Sequence, residues 1–151
     1  MTPRRLILFL VLLASVVFGK WGISLLPLHQ GNGPVSESVA PGEEILSRLF
    51  SERKSSVQVQ GAGVVRKLLP DDNDGNRHQR FIVVLATGQT LLVAHNIDQA
   101  SRIEGLKVGD RVEFRGEYEW NPQGGVIHWT HRDPAGRHPA GWIRHDGRTY
   151  Q

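Results

Sequence analysis

The hydrophobic positions of this chain follow three periods in succession. Leu6 to Phe18 (LILFLVLLASVVF) is apolar apart from one serine. Between Glu43 and Lys54 the spacing becomes helical: Ile45, Leu46, Leu49 and Phe50 share a face, Glu43 and Glu44 open it, and Arg53 and Lys54 close it, in the order that complements a helix dipole. From Val57 the period is two. Val57 and Val59 alternate with Gln58 and Gln60, and Val64 and Val65 follow Gly61 and Gly63, glycines that suit a bulge in a strongly bent strand. Phe81 to Leu85 reads as a second strand, turned by Thr87-Gly88-Gln89 into a third at Leu91 to Ala94. A short helix or turn is expected around Asn96 to Ile103. Leu106 to Asp110 then turns into Arg111 to Trp120, where Val112, Phe114, Tyr118 and Trp120 alternate with charge, and Asn121 to Gly125 loops into Val126 to Thr130.

Five strands, the first bent and the fourth opened by a Leu-x-x-Gly-Asp turn, predict a mainly β fold, a small five-stranded OB-like barrel with a preceding short helix. An SH3-like or other small barrel would give a similar strand count. The chain divides into residues 1–26 as a signal peptide or membrane anchor, 27–41 as a flexible linker rich in Gly, Pro and Ser, and 42–151 as the barrel domain.

Arg4 and Arg5 ahead of the apolar run match the charged and apolar regions of a secretory signal. The run is shorter than the roughly 20 residues of a membrane-spanning helix, which favours cleavage near Gly19. Continued through Trp21, Gly22, Ile23, Leu25 and Leu26, with Lys20 and Trp21 near the outer interface, it is long enough to anchor, and this is the preferred reading. Either fate places the domain in the cell envelope outside the cytoplasm. It is anchored to the inner membrane if the segment is kept, and periplasmic or secreted if it is cut.

Composition narrows the chemistry. The chain has 151 residues and no cysteine, which removes a thiol nucleophile, a disulfide framework and any thiolate metal site. Its isoelectric point of about 9.7 suggests nucleic acid at first sight. Arg4 and Arg5 account for two of the 18 basic residues, however, and the remainder nearly balance the 15 acidic ones. Only the tail from Val126 is locally basic, with Arg132, Arg137, Arg144 and Arg148, and it also holds four of the seven histidines.

That tail is the richest in candidate chemistry. His128, His131, Asp133 and His138 suggest a metal site or a His-carboxylate general base. In a regular strand residues three apart point to opposite faces, so His128 and His131 can cooperate only if the strand ends near Trp129. No nucleophile motif accompanies them, and neither a bound metal nor any other cofactor is expected. Glu113, Glu117 and Glu119, with Arg111 and Arg115, read as a solvated ladder on one strand face. Asp71 to Gly75 lacks the glycine and glutamate spacing of a calcium loop and reads as a turn. A binding reading uses His78, Arg80, His95, Asn96, Trp120, Trp129, His131 and Trp142, because OB barrels bind oligonucleotides and oligosaccharides across strands two and three and the adjoining loops. The competing account makes the tryptophans core residues and the histidines loop fasteners.

His78-Gln79-Arg80-Phe81, Ala94-His95-Asn96-Ile97, Gly116 to Asn121 (GEYEWN), His128 to Pro134 (HWTHRDP) and Gly141-Trp142-Ile143 occur in order. Over roughly Val57 to Gln151 the chain resembles a family of small bacterial proteins catalogued as domain of unknown function 3465. The resemblance implies an exported bacterial protein and carries over no activity. Three functions follow as expectations: a binding module for a polar ligand such as an oligosaccharide or nucleic acid, a His-dependent hydrolase such as a nuclease, and a structural accessory of the envelope. For the N-terminus, sequencing of the mature protein is expected to recover the segment ahead of Lys20, and a chain beginning near Lys20 refutes the anchor.

Overall fold

The computed structural model describes residues 41–151, so the expectations for the signal or anchor and for nearly all of the linker lie outside the described residues. Among the described residues no helix is long and apolar enough to cross a membrane. The elements are α1 (Pro41–Ser51), β1 (Val57–Leu68), β2 (His78–Val84), β3 (Thr90–Asn96), β4 (Arg111–Glu119), β5 (Val126–His128), β6 (Trp142–His145) and β7 (Arg148–Tyr150).

β1 pairs antiparallel with β4 from Val57 to Val64 and with β2 from Val64 to Leu68. β2 pairs with β3, β3 runs parallel to β5, and β5 pairs antiparallel with β4. The circuit β1-β2-β3-β5-β4-β1 is therefore closed, and it is the strand order of an OB barrel. Two strands extend the expected five: β6 pairs with the first half of β4, and β7 folds back on β6.

Alternation along these strands fills the barrel. Val59, Val65, Phe81, Val83, Leu91, Val93, Val112, Phe114, Tyr118, Ile127 and Ile143 point inward, each at most 5% exposed. The glycines of β1 permit the closure. A β-carbon on Gly61 would lie 2.9 Å from the Phe114 ring, and one on Gly63 would lie 3.0 Å from the Val84 carbonyl. The register slip itself falls between Val65 and Lys67, past the glycines expected to hold it.

Two local expectations differ. The buried face of α1 is Glu43, Leu46 and Leu49, while Ile45 is 40% exposed. The helix turns this way because the Glu43 carboxylate accepts the Ala86 N–H at 2.9 Å and Leu46 lies against Gly61. At the other end, Trp120 stacks on Phe50 and donates its indole N–H to the Phe50 carbonyl at 3.1 Å. The β3 to β4 connection contains no helix. It is a series of turns whose Ile103 and Leu106 enter the core, held by a two-bond clamp between the Gln79 amide and the Ile103 backbone.

Gly125 combines a φ of 111° with a position where a β-carbon would overlap the buried Tyr118 ring. Gly125→Ala is expected to lower unfolding stability by about 2 kcal/mol or more, read as a shift in the urea midpoint.

Candidate functional site

β4 is shared lengthwise. β5 occupies its Glu117 to Glu119 half and β6 its Val112 to Arg115 half. The chain between them leaves the barrel at Trp129 and returns at Gly141, whose N–H donates to the His131 carbonyl at 2.9 Å. β5 stops at His128 because Trp129 adopts a left-handed φ of 52°, a conformation bulky residues seldom take. The condition under which His128 and His131 can approach one another is thus met.

The excursion wraps around the Trp129 ring. Its centroid lies 5.4 Å from His128, 5.8 Å from His131 and 4.2 Å from His138, and His131 and His138 meet edge to face at 5.0 Å. Asp133 organises the loop by accepting the N–H groups of Ala135, Arg137 and His138. Burial alone would raise its pKa, but the backbone donors of Arg137 and Ala135 hold it below the usual range. Asp133 Oδ2 stands 3.9 Å from His138 Nε2, too far for a hydrogen bond. The cluster foreseen for catalysis is therefore assembled, but its carboxylate is committed to backbone and His131 is buried with Nδ1 donating to the Arg132 carbonyl at 2.6 Å.

The outer face of the barrel carries a different grouping. Leu92 on β3 is in register with Val126 on β5, which sets His128 beside Ala94, and across β4 His128 pairs with Glu117 and Val126 with Glu119. A groove of about 390 Å³ runs over this face, lined by Asp72, His78, Arg80, Leu92, Ala94, Glu119, Val126 and His128. Arg80 is steadied by donating to the Pro70 carbonyl at 3.1 Å. His128 Nε2 lies 3.5 Å from Glu117 Oε1. Burial lowers the His128 pKa more than Glu117 and Glu119 raise it, so its imidazole is neutral at neutral pH.

Of the residues named for binding, His78 and Arg80 line the groove and Trp129 stands beside its His128 wall. Trp120 is occupied with α1, with the Arg53 guanidinium 5.4 Å over its ring. Asn96 is buried and accepts the Asp98 N–H. Trp142 lies on the outer face of β6 under the Arg144 guanidinium, paired with Arg115 rather than with the groove. The acidic turn behaves as a turn, with Asp72 capping the Asp74 N–H and Asp71 paired with Arg102. Strand parity was the signal that could have joined Glu117 and Glu119 to His128. A second pair, His145 Nε2 to Asp110 Oδ2 at 2.7 Å, was missed because β6 was not expected. It ties the end of β6 to the turn before β4.

A family model described as "Protein of unknown function (DUF3465)" matches residues 33–151. A search of curated proteins finds no match.

His95 points into the barrel, fully buried, and burial is the foremost cause that lowers its pKa to about 4. Nε2 donates to the Ser101 carbonyl at 3.1 Å, so Nδ1 accepts the Thr130 hydroxyl at 2.8 Å. This histidine fastens two loops and is out of a ligand's reach. Between pH 6.5 and about 4 the unfolded chain binds a proton that folded His95 refuses. Stability is therefore full above that window and falls as pH drops through it, by on the order of 3 kcal/mol. Urea titrations from pH 7 to 4 are expected to show this slope, and His95→Gln, which keeps a donor for Ser101, to flatten it.

Proposed function

The chain belongs to this family of unknown function, and from the geometry of its outer face we propose that it is a binding module for a polar ligand, with an oligosaccharide favoured. The groove over β2, β3, β5 and β4 carries the reading. Leu92, Ala94 and Val126 make an apolar floor, and Asp72, His78, Arg80, Glu119 and His128 make hydrogen-bonding walls, within the size range of small-ligand sites. A sugar presents the same combination of apolar ring faces and hydroxyl edges. Two carboxylates in the walls repel a polyanion, and a single arginine does not make the positive track that nucleic acid needs. The Arg4-Arg5 and Leu6 to Phe18 pattern supports a location outside the cytoplasm, where such ligands are met.

The test is retention of full-length protein on polysaccharide resins and on single-stranded DNA. The expected result is glycan retention that changes little with salt and drops at least fivefold in Arg80→Ala and in Ala94→Trp, which fills the floor. Retention on DNA that decays with salt supports the nucleic-acid alternative instead. Retention on neither removes both ligand classes.

A further inference from the structure

We propose that Glu117, Glu119 and His128 bind a divalent transition-metal ion of the zinc type at the edge of the groove, with Gln58 completing the surroundings. One donor atom from each of the three side chains lies within 4.8 Å of the others. The tightest pair, His128 Nε2 and Glu117 Oε1, is 3.5 Å apart. Donor atoms around tetrahedral zinc, with bonds of about 2.0 to 2.1 Å, stand roughly 3.3 Å from one another. The Glu117 to His128 separation is already close to that spacing.

Unmet polar groups point the same way. His128 Nε2 is buried and makes no hydrogen bond, and neither the oxygen nor the nitrogen of the buried Gln58 amide makes one. Gln58 sits directly across β1 and β4 from Glu117, so the row Gln58, Glu117, His128 crosses three strands on one face. Buried polar atoms without partners are rare because each costs on the order of 1 to 3 kcal/mol. An ion would give the unpartnered Nε2 a ligand role and would compensate two adjacent carboxylates. Glu119 is also held in place from behind, its Oε1 accepting the Ser56 N–H at 3.1 Å and the Ser56 hydroxyl at 2.9 Å, the kind of outer hydrogen bond that orients a ligating carboxylate.

One nitrogen and two carboxylates suit zinc and its neighbours better than calcium or magnesium, which take oxygen throughout. Three protein ligands leave a position open, and Glu119 and His128 both line the groove, so that position faces it. The ion site does not depend on what the groove binds.

Full-length protein without an affinity tag, stripped with chelator, is titrated calorimetrically with zinc and followed spectroscopically with cobalt. The expected result is one zinc per chain with micromolar or tighter affinity, a raised melting temperature on loading, and a cobalt spectrum of low-coordinate geometry. Glu117→Gln and His128→Gln are each expected to weaken zinc at least tenfold, while Glu113→Gln, on the same strand face, leaves it unchanged. If either variant fails to fold by circular dichroism, Glu119→Gln carries the same expectation. Absence of zinc binding by the wild type, or affinity unchanged in the variants of Glu117 and His128, overturns the proposal.

Discussion

β1 hydrogen-bonds to β4 along its first half and to β2 along its second, and the barrel closes only because the strand bends between those halves. Gly61 lets it pass over the Phe114 ring, and Gly63 lets it approach the backbone of β2. Side chains there would push β1 off the core, and the sheet would open with unpaired edges at β1 and β4. Closure creates the two environments on which everything else rests, a dry interior around Phe81, Phe114 and Tyr118 and a curved outer face with a groove.

Helical and strand periods made α1 and the five barrel strands legible, because each buries one face against a common core. Elements whose conformation is set by long-range contacts were not legible. Ile45 and Leu46 are equally apolar, and the choice between them depends on the Ala86 N–H, far along the chain, donating to the Glu43 carboxylate. The turns after β3 are fixed by Gln79 of β2 and by the inward His95 of β3 itself, through side-chain contacts that no local propensity encodes. β6 and β7 were hidden because Trp142 to Tyr150 is short and charged, and its pairing depends on the half of β4 that β5 leaves free.

The residue types around the candidate site were legible in the sequence, while which of them lie together was set by pairing between strands. The histidine-rich tail does come together, but around Trp129 and with Asp133 turned to backbone donors. Arg80 and His78 line the groove on the outer face of β2. Glu117 and Glu119 looked solvated because charge alternates along β4, yet Glu117 has a side chain only 23% exposed, lying beneath a histidine from the next strand. Alternation within one strand cannot show what the adjacent strand lays across it.

The contrast between His95 and His128 follows from the same parity. His95 lies on the inward side of β3, where burial removes its charge and a hydroxyl and a carbonyl use both nitrogens. His128 lies on the outward side of β5, also neutral, but with Nε2 facing two carboxylates and no donor. The difference is whether the ring's buried nitrogens have hydrogen-bond partners. A histidine with both nitrogens engaged is part of the scaffold. His128 is partly buried, its side chain 30% exposed, and its Nε2 beside two glutamates is left without a hydrogen-bond partner, so its polar capacity is not used up by packing.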